Sequence, residues 1–221
     1  ALRVAAQISH DMRMPLASLR LTLEMLEDLR ATEQSTSERH LIVAAQRSTR
    51  RLTSMVEGIL EINQLDAGLH SSKIDLNRLT REVIAELGPL LSSARASVQV
   101  QQLPCVVADE QMLFRVLLNL INNAVKFARP GVPPHLEIGV VRRANAWEIT
   151  VSDNGLGVPP GKRTEVFETF ARLHPGKPGN GIGLPTVAQI VSAHGGNVGI
   201  RDVPSGSGAQ FWFTLPDRVQ P

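Results

Sequence analysis

Over the first 68 positions the apolar residues step alternately by four and by three, and that rhythm leaves few folds open. Met12, Leu16, Leu19, Leu23 and Leu26 form one series; Leu41, Ala45, Ser48, Leu52, Met55, Ile59 and Ile62 continue it. A mean step of 3.5 residues holds one narrow stripe of an α-helix against a partner, as in coiled coils and bundles. Pro15 is the one proline here and the first glycine is Gly58, so both segments keep helical composition. The polar run at 32–37 supplies a turn, with Thr36 or Ser37 as N-cap of the second helix. A two-helix hairpin cannot hide such a seam alone. Pairing with a second copy, as an antiparallel four-helix bundle, buries it and predicts a homodimer; the alternative is a single hairpin docked on the rest of the chain.

Beyond residue 68 the pattern changes. A polar joint at 67–72 leads into mixed helix and strand. Asp75 or Asn77 caps a helix through about Ser92, 97–101 alternates as a half-buried strand, and 105–107 reads as another. Asp109 caps a helix ending near Phe127. Residues 136–141 and 147–152 form a hairpin around Arg143, Ala144 and Asn145. A helix at 184–194 stops at Gly195-Gly196, and 198–201 with 210–215 complete the sheet. The fold class is α+β in two domains. A helical hairpin occupies 1–68 and a linker or hinge 69–74; at 75–221 helices layer on one face of a mixed, mostly antiparallel sheet.

Composition removes several classes of function. The 221 residues are 43% apolar and 20% charged, ordinary for a globular protein. No apolar run nears the roughly 20 residues of a membrane span, and the N-terminus lacks an export signal. A formal charge of +2, 4% aromatic residues and no tyrosine argue against nucleic acid, although the pI is about 9.1. Cys105 is the one cysteine, so no internal disulfide or cysteine metal cluster forms, and a reducing compartment fits.

Three segments carry chemistry. On the helix at 109–127, Asn119, Asn123 and Lys126 share one face, while Val116, Leu117, Leu120, Ile121 and Ala124 form the buried side. Amide oxygens suit a hard cation such as Mg²⁺, and a lysine one turn on meets phosphate. A solvated polar stripe is the alternative reading, but asparagine is a poor helix former and two of them need a compensating role. Asp153, with Gly155 and Gly157, ends a strand in a turn where a carboxylate can accept from an exocyclic amine such as adenine's. Gly179, Gly181 and Gly183, followed by Leu184 and Pro185, open a helix whose N-terminal N–H groups make an anion site. This spacing is neither the dinucleotide fingerprint nor a Walker loop. The Pro- and Gly-rich stretch between the two glycine motifs suits a lid. Far upstream, His10 is followed at once by Asp11 near the start of a helix.

Together these segments resemble the sensor histidine kinases of two-component signalling, over nearly the whole chain. The stretch around His10 is similar to the phosphoacceptor box, 119–127 to the N box, 153–157 and 179–184 to the two glycine boxes, and 167–172 to the phenylalanine box. The resemblance implies an ATP-binding domain at 75–221 of the gyrase and heat-shock-chaperone type. It further implies ATP and Mg²⁺ as cofactors, with Asn123 on Mg²⁺, Asn119 and Lys126 on phosphates, and Asp153 on adenine. Gly155, Gly157, Gly179, Gly181, Gly183 and Leu184 would line the cradle, with Phe170 and Arg172 on the lid. His10 would take the γ-phosphoryl group with Asp11 on its other ring nitrogen, then pass it to an aspartate of a response regulator.

Departures from the family pattern are few. Met14 stands where Thr or Asn is usual, which puts phosphatase activity in doubt. Asp11 replaces the commoner Glu, and Thr169 a frequent basic residue. His40, His70, His135 and His174 receive no role, and His194 ends a helix, where a cation is favourable. The start only nine residues before His10 suggests the cytosolic portion of a membrane-bound receptor, with contact to membrane only through segments absent here. Two other readings compete: a degenerate kinase acting as a dimeric nucleotide-binding module, and a nucleotide-hydrolysing clamp.

Overall fold

The computed structural model describes residues 69–168, 171, 173, 181–203 and 206–217, together with Leu21, Leu23, Ile42, Ala45 and Thr49. The chain divides into two compact units, 1–61 and 62–221. In the first, the five described residues are all helical, and Thr49 Oγ1 donates to Ala45 O one turn back at 2.9 Å. The rest of that unit, including every seam residue except Leu23 and Ala45, lies outside the described residues.

The second unit begins with strand β1 (Ser71–Asp75), where the sequence led us to expect part of a linker. It pairs antiparallel with β3 (Cys105–Asp109) in a separate two-stranded ribbon. Only Ile74 of β1 is both apolar and buried, so no alternation announces it; the backbone ladder to β3 supplies the structure. For the same reason β3 is not in the main sheet. Asp75 caps helix α1 (Leu76–Glu86), accepting from Asn77 N at 2.8 Å; the Asn77 side-chain amide donates to the same oxygen at 2.9 Å and, with the backbone donor, holds the carboxyl below the usual range. The helix expected to reach Ser92 breaks at Leu87 and restarts as α2 (Gly88–Ser93). Pro89 has no amide hydrogen to bond back into the preceding turn, and it sits in the first turn of α2, where none is needed.

Strand β2 (Ser97–Val100) and the elements that follow build the main body. After β3 come α3 (Glu110–Lys126), β4 (His135–Arg142), β5 (Ala146–Asp153), α4 (Gly183–Ala193), β6 (Val198–Arg201) and β7 (Gln210–Pro216). The five-stranded sheet has the order β2-β4-β5-β7-β6, parallel only between β2 and β4. Asp109 caps α3 by accepting from Met112 N at 3.1 Å. Alternation puts Leu136, Ile138, Ile149, Val151, Phe211, Phe213 and Leu215 on the inner face, in one core with Leu113, Val116, Leu117, Leu120 and Ile121 of α3 and Val187, Ile190 and Val191 of α4. Each such side chain contributes about 1.5–3 kcal/mol by leaving water.

The opposite face is polar. There Glu148, with its side chain 7% exposed, is gripped by Arg143 and Arg201 at 2.9 and 2.8 Å. Burial pushes its carboxyl up, but the two guanidinium groups outweigh that and hold it below the usual glutamate range. Among the described residues no helix is long and apolar enough to cross a membrane.

Candidate nucleotide site

The apolar stripe of α3 fixes which way its amides point. With Leu120, Ile121 and Ala124 sealed in the core, Asn119, Asn123 and Lys126 are left half-buried at its margin. Asn119 Nδ2 donates to Arg115 O at 3.0 Å, one turn back. Its Oδ1 lies against the first residue of α4: a Cβ on Gly183 would sit 2.6 Å from it. Only glycine permits so close an approach. The Asn123 side chain makes no hydrogen bond among the described residues, which leaves its amide oxygen available to a cation. Lys126 Nζ lies 4.6 Å from the Phe127 ring centroid, so the cation already rests at the C-terminal end of α3.

Helix α4 opens without a side-chain cap. Ile182 is its N-cap residue and offers no acceptor, so the N–H groups of Gly183 and Leu184 meet no capping side chain. Gly181, at φ +68°, turns the chain into this helix. An uncapped helix start beside an asparagine face is an arrangement that receives an anion.

Asp153, at the end of β5, is 9% exposed. Its Oδ1 accepts from Gly155 N at 2.8 Å and from Ala209 N at 3.4 Å; among the described residues nothing engages Oδ2. Burial pushes this carboxyl above the ordinary aspartate value, and the two backbone donors only partly offset the rise. The loop after it is pressed onto α3. Leu156 N donates to Phe127 O at 3.0 Å, and a Cβ on Gly155 would meet that carbonyl oxygen at 2.7 Å. Gly157 sits at φ +73°, with Gly208 O 2.8 Å from where its Cβ would be. Asp153, Asn119, Asn123, Lys126 and the start of α4 thus gather around the C-terminal half of α3. Among the described residues no three His, Cys, Asp or Glu side chains form a metal cluster.

His10, Asp11, Phe170, Arg172 and Gly179 lie outside the described residues. Leu184 is half-buried and packs on the core rather than standing free. Three supports of the site escaped the sequence reading. Arg129 Nε donates to Asn154 O at 2.8 Å, and Asn154 in turn ties the loop to His135 and Pro133. The turn at 206–209 brings Gly208 against the backbone of Asp153, where a Cβ would fall 1.7 Å from the carbonyl oxygen. Two glycines between closing strands were the available signal for that turn.

His194 is not a helix-end cation. Backbone Asp109 N donates to its Nε2 at 3.0 Å, so Nε2 carries a lone pair; Nδ1, 2.8 Å from Ile190 O, is the protonated nitrogen. The ring is a neutral buried strut, 3% exposed.

Residues 2–68 match the family model described as His Kinase A (phospho-acceptor) domain. Residues 108–219 match the one described as Histidine kinase-, DNA gyrase B-, and HSP90-like ATPase. The adaptive-response sensory kinase SasA of Crocosphaera subtropica (strain ATCC 51142 / BH68) is 30% identical over 226 residues, covering 97% of this chain and 59% of SasA. This chain therefore spans little more than half the length of that relative. Full-length ShkA in complex with AMPPNP resembles it at a TM-score of 0.67 and 27% identity, over 97% of this chain and 46% of ShkA. ThkA, solved with the response regulator TrrA, has a TM-score of 0.74 over 98% of this chain and 61% of ThkA. At 19% identity that likeness shows the fold alone.

Proposed function

Since this chain belongs to the sensor histidine kinases of two-component signal transduction, we propose that it binds ATP along the C-terminal half of α3 and phosphorylates its own His10. The observation that carries the reading is the meeting of Asn119 with the uncapped start of α4, beside a buried aspartate with one oxygen unengaged. Asp153 Oδ2 accepts from the exocyclic amine of adenine. The first N–H groups of α4 donate to the phosphates, and Asn119 and Lys126 flank them. The Asn123 amide oxygen would hold Mg²⁺, which would supply positive charge against the transferring phosphoryl group. Lid residues Phe170 and Arg172, with Gly179, would close over the nucleotide.

One ring nitrogen of His10 attacks the γ-phosphorus in line, a P–N bond forms, and ADP leaves with the bridging oxygen. Asp11 accepts from the other ring N–H, fixing the tautomer and stabilising the charge that develops. An aspartate of a response regulator then takes the phosphoryl group and returns His10 to its neutral form. The seam at 12–62 fits a hairpin that dimerises into a four-helix bundle, and helicity at Leu21, Leu23, Ile42, Ala45 and Thr49 supports it. Strand β1 begins at Ser71 and Asp109 holds the His70 N–H, so residues 70–74 of the expected hinge are tied to the ATP-binding unit. ATP and a receiver domain as reactants place this part of the protein in the cytosol.

Incubation with γ-labelled ATP tests the whole reading. The expected product is acid-labile, base-stable label on the protein, lost in His10→Gln with ATP binding retained. Label on the His10→Gln variant refutes the phosphoacceptor. Free phosphate without labelled protein indicates a hydrolytic clamp, and binding without either indicates a regulatory module.

A further inference from the structure

Helices α3 and α4 run antiparallel and are fastened at both ends. At one end Asn119 Oδ1 abuts Gly183; at the other Asp109 N donates to His194 Nε2 at 3.0 Å. The spans match. From 109 to 119 is ten residues, about 15 Å of helix, and from 183 to 194 eleven residues, about 16 Å. Sliding one helix along the other therefore breaks the His194 bond and carries Gly183 off Asn119 together. No other acceptor on His194 can substitute, because Nδ1 is protonated and spent on Ile190 O at 2.8 Å.

Asp109 is itself a junction. Oδ1 caps α3 through Met112 N at 3.1 Å, and Oδ2 accepts from His70 N at 2.9 Å, where the chain enters β1. One buried residue, 6% exposed, thus joins the entering strand, the asparagine helix and, through His194, the helix that opens on the phosphates.

We propose that His194 is a positioning residue. Its neutral ring, held by Asp109, sets the axial register of α4 against α3 and so the distance between the phosphate cradle and Asn119 and Asn123. It touches no nucleotide and acts only on the phosphate half of the site, because Asp153 is anchored separately through Gly155 and Ala209. This inference rests on the ATP-binding reading and narrows it.

The test compares ATP with adenosine on the full chain. In His194→Leu the expected result is an ATP affinity lowered about tenfold or more, with adenosine affinity within about twofold of wild type. His194→Gln, whose amide oxygen can accept from Asp109 N, restores most of the loss. Equal falls for both ligands, or no fall in a folded variant, overturn the proposal. Wild-type protein that binds neither ligand overturns the ATP reading instead. If His194→Leu does not fold, ¹⁵N shifts of the His194 ring in the wild-type protein decide. A neutral ring protonated on Nδ1 sustains the proposal, and an imidazolium or an Nε2-protonated ring refutes it.

Discussion

Alanine at position 183 is expected to separate folding from the proposed phosphate recognition. A Cβ there lies 2.6 Å from Asn119 Oδ1, and ordinary contact begins near 3.4 Å, so the two groups must part by roughly 0.8 Å. The yielding group is a side-chain tip rather than backbone, but its amide is fastened to Arg115 O at 3.0 Å. Releasing that bond costs about 1 kcal/mol. Replacing glycine by alanine in a helix returns up to about 1 kcal/mol. The two nearly cancel, and in a domain of this size the melting temperature should move by less than about 4 °C. Phosphate geometry has no such compensation. A displacement approaching 1 Å between the α4 N-terminus and the α3 amides costs on the order of 10²-fold in phosphoryl transfer. Thermal unfolding of the ligand-free protein, followed by single-turnover labelling with γ-labelled ATP, reads both quantities. A Gly183→Ala variant that labels at the wild-type rate would refute the close approach as a functional constraint. One that melts far below the wild type would show that the contact serves the fold instead.

Asp153→Asn should leave the ligand-free protein as stable or more stable at neutral pH, since burial penalises the charged carboxyl. The folded state holds the Asp153 proton more tightly than the unfolded chain. The carboxyl is therefore neutral and unpenalised below the ordinary carboxylate range, and its cost appears as pH rises through the raised value. ATP affinity of the same variant should drop about 10- to 100-fold, the worth of a hydrogen bond to a charged acceptor. In wild type, affinity should fall on acidification through that raised value; calorimetry at stepped pH checks both. Gly208→Ala places a Cβ 1.7 Å from Asp153 O at φ +111°, so backbone must move and destabilisation of at least about 2 kcal/mol is expected by denaturant titration. A fall below 0.5 kcal/mol would contradict it. Glu148 is held in its charged form by Arg143 and Arg201, so its stabilisation is full above the ordinary glutamate value and drains away as pH drops through the lowered folded one. Glu148→Gln should flatten the acid limb of the stability curve, and an unchanged limb argues against the cluster.

Local chemistry was legible in the residues themselves. The caps at Asp75 and Asp109, the hairpin around residues 143–145, the apolar stripe of α3 and the half-buried row of Asn119, Asn123 and Lys126 follow from hydrogen-bonding capacity and periodicity within a few positions. So did the order of motifs that marked a phosphoacceptor followed by an ATP site. What required the folded chain was everything set by residues remote from one another. Strand β1 carries no alternating pattern and exists because β3 offers it a ladder. The Asp153 carboxyl is pushed up by burial, which depends on how the surrounding chain packs over it. His194 reads as a cation at a helix end until Asp109, 85 positions away, donates into its ring and makes it neutral. Periodicity and capping act over one or two turns of chain, whereas desolvation, proton placement and close backbone approach belong to neighbours that only tertiary packing brings together.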